Sequence, residues 1–246
     1  MVILLRKRDL ILSGLFCCFF LSLAAVLWRG NIVPTFNARE EGVPVTVVID
    51  PGHGGEDGGA VSPGGVEEGQ INLAVSFRVS DLLRFAGQRT LLTRSEDVTI
   101  CDEGLDTMHQ RKSSDLKNRV RIVEETENAI LLSIHQNSLP SSPVTHGAQV
   151  FWNRQEGAEA LAERVQEALN AGINVGNEKL PRQIPDSIYL MKHITAPGVL
   201  VECGFLSNEA ETERLQNPAY QLRLATAIVA GYLSAWVETT TSGEYQ

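Results

Sequence analysis

Cysteine is scarce in this chain of 246 residues, and scarcest where a framework would need it. Of the four cysteines, Cys17 and Cys18 fall inside an apolar N-terminal run, leaving Cys101 and Cys203 far apart in the remainder. Two isolated cysteines exclude a disulfide framework, and also a structural zinc site, which draws its cysteines in close pairs. Cys203 reads as a small buried residue. Beyond residues 6–8 basic clusters are lacking too: 21 Lys and Arg against 30 Asp and Glu give a net charge of -9, with the other cations scattered among acids. Phosphate backbones select clustered Lys and Arg, so nucleic acid is excluded as a partner. No Gly-Lys-Ser/Thr follows the glycine-rich stretch, which argues against a phosphate loop, and no His-Glu-x-x-His occurs. With 43% hydrophobic residues the chain has material for one α/β domain and an appendage.

The appendage is N-terminal. Arg6, Lys7 and Arg8 precede an almost unbroken apolar run from Leu10 to Trp28, about 19 residues at about 1.5 Å each, enough to cross a bilayer as one helix. The basic flank should stay cytoplasmic, placing the rest outside. Ser22 and Ala24 make a poor processing site, and the run is long for a signal-peptide core, so residues 1–28 are expected to be an uncleaved anchor. Leu15 and Phe16 stand where a lipobox needs small residues. Residues 29–44 read as a linker, 45–238 as one catalytic domain and 239–246 as a polar tail.

The domain is organised around VVIDPGHGGEDGGA. Val47, Val48 and Ile49 form a β-branched strand that Pro51 ends, delivering His53 into a glycine-rich loop at the strand's carboxyl end, where open α/β sheets bind ligands. A tight turn with an incidental histidine fits the same residues. A second apolar run, Ala129 to Ile134, ends in His135, followed by Gln136, Asn137 and Ser138. A third, Val199 to Val201, runs into Glu202. An unpaired buried carboxylate is costly, so Glu202 should meet a cation or have a raised pKa suited to proton transfer. Strand alternation turns Cys203 away from whatever Glu202 faces.

Between these strands, apolar residues at 71, 75, 79, 82 and 83 predict a helix with Glu68 at or just before its N-terminus, where a carboxylate serves as ligand or simply as cap. Residues 90–93 predict a strand, 94–114 a long polar connection, and 115–125 a short helix with Leu116, Val120 and Val123 on one side. Residues 147–152 predict a strand and 155–171 a helix. Residues 174–185 read as a loop flanking the cleft, and 187–191 as a short strand. The last helix, 218–236, places Leu222, Ala225, Ile228, Val229, Tyr232 and Trp236 on one face. His109 and His146 read as surface residues, His193 as a solvated loop histidine or a substrate contact. Asp50 is expected to accept a hydrogen bond from a ligand imidazole or a loop amide.

Two imidazoles and a carboxylate, with another glutamate left over, suit a catalytic zinc that keeps an open position. The motifs DPGHGGEDGGA with Glu68 downstream, Ser-Ile-His135-Gln-Asn, and Val-Leu-Val-Glu202-Cys-Gly-Phe-Leu-Ser-Asn resemble those of the zinc-dependent N-acetylmuramoyl-L-alanine amidases of the family-3 type, over residues 45–236. Arg111, Lys112 and Asp115 to Val120, after an N-terminal anchor, are most similar to the sporulation and germination amidases of spore cortex. The resemblance implies one Zn2+ held by His53, Glu68 and His135, with Glu202 as the catalytic carboxylate. Glu67 competes with Glu68, and the distance to Asn72-Leu73 favours Glu68. Gln136 and Ser138 depart from the family pattern, which has smaller residues there. Asn137 is assigned to orienting substrate.

The implied fold is α/β, a mixed, mostly parallel six-stranded sheet with helices on both faces, plus the N-terminal membrane-spanning helix. The implied substrate is peptidoglycan, glycan strands with stem peptides, cut between the lactyl group and L-alanine, in spore cortex as a step toward muramic δ-lactam. A zinc peptidase acting within the stem peptide uses the same chemistry and stays open, whereas a non-catalytic wall-binding module would lack a ligand or Glu202. The expected location is outside the cytoplasmic membrane, anchored by residues 10–28, and between the forespore membranes in a spore former. No separate wall-binding repeat is present, which leaves open an activating protein partner.

Overall fold

β-Branched and leucine-rich runs form the centre of a six-stranded sheet, because strands buried on both faces need apolar side chains in both directions. The computed structural model describes residues 44–242. In chain order the elements are β1 (Thr46–Pro51), α1 (Glu68–Phe85), β2 (Arg89–Leu92), α2 (Met108–Glu124), β3 (Ala129–Asn137), β4 (Gln149–Trp152), α3 (Ala158–Gly172), β5 (Arg182–Gln183), α4 (Tyr189–His193), β6 (Gly198–Phe205), α5 (Glu209–Gln216) and α6 (Pro218–Ser242).

The strand order is β2-β1-β3-β6-β4-β5. β1 pairs in parallel with β2 and β3, β3 in parallel with β6, β4 runs antiparallel to β6, and β5 parallel to β4. Alternation along the strands divides the core in two. Val47, Ile49, Leu132, Ile134, Val199 and Val201 pack with α1, α3 and α6, while Val48, Leu131 and Leu200 pack with Val123 of α2 and Leu190 and Met191 of α4. By the same period of two, Asp50, Ser133, His135 and Glu202 belong to the α2 side, beyond the apolar residues. Because β1, β3 and β6 are parallel, their carboxyl ends reach one edge of the sheet.

The fold class expected from the sequence requires correction. No helix among the described residues is long and apolar enough to cross a membrane, and the segment assigned to the anchor, residues 1–28, lies outside the described residues. Even α6 breaks its apolar surface with exposed Arg223 and Thr226. The fold is a mixed α/β sheet with helices packed on it.

Local differences have local causes. α2 starts at Met108, well before the expected helix, because Thr107 and Gln110 form a reciprocal capping box. Its inward residues include Val123, with Val120 packed beside it, and also the polar Ser114, Asp115 and Arg119. Residues 187–191, expected as a short strand, run instead into the helix α4 at Tyr189–His193. β5 falls within residues 174–185, expected as a loop. α5 is anchored by Glu211, whose buried carboxylate accepts from the Gly147 and Phe205 amides at 2.9 and 2.8 Å. In α6, Leu222 is 48% exposed rather than buried, and the side chain of Trp236 lies outside the described residues.

Candidate metal centre and active site

The site begins where β1 stops. The Gly52 amide donates to Ile134 O at 3.0 Å, and a Cβ on Gly52 would stand 2.2 Å from the His135 ring. Only a glycine lets the loop backbone pass this close to the imidazole. His53 follows at a φ of 59°, a left-handed conformation that a non-glycine residue holds only when its surroundings impose it. Two buried arginines do so. Arg119 donates to Pro51 O and His53 O, both at 2.8 Å, and Arg94 to Pro51 O at 3.0 Å and Gly52 O at 3.1 Å.

Glu68 opens α1, and the exposed Glu67 is its N-cap. Glu68 Oε1 lies 2.9 Å from His135 Nδ1 and Oε2 lies 3.4 Å from His53 Nε2. The Ala60 and Gln136 amides donate to the same carboxylate at 2.9 and 3.0 Å, and Asn72 Nδ2 at 3.1 Å. Burial alone would raise this carboxyl, but His135, His53 and the Gln136 amide outweigh it and bring it down to about 2. It is therefore ionised at neutral pH. His135 is shifted upward: burial works against its charged form, and Glu68, with smaller help from Glu202 and Asp50, prevails. The His53 and His135 rings meet edge to face, with centroids 5.1 Å apart.

One potential ligand atom from each of His53, Glu68 and His135 lies within 4.8 Å of the others. Of the sequence-derived candidates these three are brought together, and Glu67 is not. Glu202 is the direct partner of His135 in the β3–β6 register. Its Oε2 is buried without a hydrogen-bond partner, and burial raises the carboxyl to about 7, with Glu68 adding to the rise against the pull of His135. Asn137 lies two residues past His135, half-buried, with Oδ1 accepting from the Ser138 amide at 2.8 Å. Cys203 is fully buried in the core cluster beside α1. His193 is exposed and stacks on Tyr189 of its own helix with centroids 3.9 Å apart, and His109 and His146 are exposed.

Asp50 does not contact an imidazole. It accepts from Thr93 Oγ1 at 2.7 Å, Ser133 Oγ at 2.8 Å and Arg119 Nη1 at 2.6 Å, because its side chain is turned under the loop toward α2. The carboxylate against a ligand imidazole is Asp57, whose Oδ2 lies 3.0 Å from His53 Nδ1. The imidazole hydrogen bond and Lys112 hold Asp57 well below the usual carboxylate range. Asn72 joins three parts of the site, donating to Gly52 O and Glu68 Oε1 and accepting from Gln136 Nε2. Sequence reasoning passed over Asp57, Arg94 and Arg119, since charged residues in polar connections look solvated. The signal that marks them is a left-handed histidine whose flanking carbonyls need donors.

The residues present fit a zinc ion. Two imidazoles and a carboxylate are its usual catalytic donor set, and 3.4 Å between His53 Nε2 and Glu68 Oε2 is the separation of two donors each about 2.0 Å from a tetrahedral ion. Such a donor set at the carboxyl edge of a mixed α/β sheet is the frame of a metal-dependent hydrolase. Sequence comparison narrows the class. The chain belongs to the Amidase_3 family, N-acetylmuramoyl-L-alanine amidase, which matches residues 47–233. It is 36% identical over 192 residues to the germination-specific N-acetylmuramoyl-L-alanine amidase of Bacillus subtilis, spanning 78% of this chain and 80% of that protein. It is 26% identical to the amidase AmiA of Escherichia coli, over 94% of this chain and 92% of that one. Among solved structures, the CwlD amidase of Clostridioides difficile, in complex with the GerS lipoprotein, is similar with a TM-score of 0.75 and 33% identity, covering 78% of this chain and 98% of that chain. The chain is thus a peptidoglycan hydrolase of the amidase type, and zinc dependence is general in its family.

Proposed function

We propose that the domain over residues 45–238 binds one Zn2+ through His53, Glu68 and His135 and cleaves the amide between the N-acetylmuramic acid lactyl group and L-alanine. The single observation that carries this reading is the meeting of those three side chains beside a buried, unpartnered Glu202 oxygen. When bound, zinc supplies a Lewis acid that polarises the scissile carbonyl and acidifies an attacking water. Glu202 takes a proton from that water as its oxygen bonds to the lactyl carbonyl carbon, and returns the proton to the nitrogen as the carbon–nitrogen bond breaks. The products are a lactyl carboxylate and a free L-alanine amine, with the glycan strand intact. Asn137, at the rim next to His135, orients the substrate.

Action on spore cortex, as a step toward muramic δ-lactam, is supported by the likeness to the germination-specific relative. Such a role places the enzyme outside the cytoplasmic membrane, between the forespore membranes in a spore former. The GerS lipoprotein bound to the related CwlD amidase supports a protein partner for this chain as well.

Digestion of purified cortex and of vegetative wall by the zinc-loaded protein, with mass analysis of the products, tests the reading. New L-alanine amino termini and free muramoyl lactyl groups are expected. New termini within the stem peptide would make the enzyme a peptidase instead.

A further inference from the structure

Two side chains that the proposed reaction does not use stand in line behind His53. Asp57 Oδ2 lies 3.0 Å from His53 Nδ1 and 3.1 Å from Lys112 Nζ, near the start of α2. The segment between His53 and Asp57 is closed on itself, with the Gly54 amide donating to Asp57 O at 2.8 Å and the Asp57 amide to Gly54 O at 3.3 Å. Neighbouring pairs hold the same turn: Arg111 Nη2 lies 2.8 Å from Glu56 Oε2, and the Gly55 amide donates to Asp97 at 2.9 Å.

We propose that Asp57 is a positioning residue for His53, and that Lys112 positions Asp57 in turn. Together they fix the proton of His53 on Nδ1 and leave the Nε2 lone pair directed at the metal. The inference rests on the metal-centre reading above and deepens it. An ionised carboxylate only accepts hydrogen bonds, and a lysine ammonium only donates. Oδ2 therefore receives both Lys112 Nζ–H and His53 Nδ1–H, which places the lone pair of the neutral imidazole on Nε2. That lone pair faces Glu68 Oε2 at 3.4 Å, so imidazole and carboxylate together offer two donor atoms to one cation. The left-handed backbone of His53 fixes where the ring starts, and Asp57 fixes how it turns. A carboxylate against the far nitrogen of a ligating histidine does this in many zinc sites. The extension to a lysine on a separate helix makes ligand orientation depend on the packing of α2.

The test compares the full chain with Asp57→Asn, Lys112→Met and the double variant, each stripped of metal. Zinc affinity is read by chelator competition, and the His53 tautomer by nitrogen-15 spectroscopy of the metal-free protein. Asp57→Asn is expected to weaken zinc binding by about 10–100-fold and to lose the Nδ1–H signature, with the metal-free melting temperature unchanged. Lys112→Met is expected to weaken zinc binding less, and to add nothing in the Asp57→Asn background, because Lys112 acts through Asp57. A purely structural tie between loop and helix would instead lower the melting temperature and spare the tautomer. Zinc bound equally well by wild type and Asp57→Asn overturns the proposal alone, as does a Lys112→Met loss that persists undiminished in the double variant. A wild type that binds no zinc overturns the metal-centre reading itself. Lys112 is half-exposed, so its variant folds and decides the matter if Asp57→Asn does not.

Discussion

Glu202 stands opposite His135 across the β3–β6 pair, and its Oε2 is buried with no hydrogen-bond partner. A carboxyl raised to about 7 by burial is matched to taking and returning a proton near neutral pH. Glu202→Gln keeps the shape and removes the titrating group. Turnover is expected to fall at least ~100-fold while zinc content and fold are retained, read by steady-state kinetics beside metal analysis.

Gly52 is the point of closest backbone approach. An added Cβ would meet His135 Cε1 and Nε2 at 2.2 Å, so Gly52→Ala must push the ring away. A loss of zinc affinity of about 10-fold or more is expected. Gly172→Ala is the control: its Cβ would meet only Ala227 Cβ, at an ordinary 3.7 Å, and zinc affinity should not change.

Arg119 ties together Asp50, Asp115 and the carbonyls of Pro51 and His53. Replacing it with Met leaves the buried Asp50 carboxylate without its cation, at a cost of about 3–5 kcal/mol. Denaturant unfolding of the metal-free protein measures this directly. A loss below about 1 kcal/mol would show that Thr93 and Ser133 satisfy Asp50 by themselves.

The same pair sets an acid limb. Burial alone would raise Asp50, but Arg119 and the hydroxyls of Thr93 and Ser133 hold it below its ordinary 3.8. A carboxylate depressed on folding stabilises the protein above its unfolded pKa, and that stability is lost as the pH falls through the folded one. Stability of the metal-free chain should therefore drop as the pH is lowered below about 4. The drop should be shallower in Arg119→Met, which has less depression left to lose. Equal slopes in the two proteins would remove Asp50 from the account.

Much of the sheet and the grouping of the site were legible because both rest on abrupt changes in the chain. Val47–Ile49, Ile130–Ile134 and Val199–Val201 are apolar runs that stop at a chemically distinctive residue, and parallel pairing carries those ends to one edge. The layer beneath was not legible. Arg94, Arg119 and Asp57 lie in polar stretches, and what draws them in is the demand of loop carbonyls and an imidazole for partners, which appears only once the backbone is folded. Of α2 only the part from 115 onward was legible, through Val120 and Val123; its first turns, from Met108, are polar and their inward residues are Ser114 and Asp115, so no apolar stripe announces them. α4 spans only five residues, too few for periodicity to distinguish helix from strand. The anchor reading rested on hydropathy over residues 10–28, which lie outside the described residues.

The most direct measurement is a calorimetric titration of zinc into the metal-free protein. One site per chain is expected, abolished or severely weakened in His53→Ala, Glu68→Ala and His135→Ala, and retained in Glu202→Gln. A protein that takes up no zinc, or one whose single site survives Glu68→Ala at full affinity, would contradict the account.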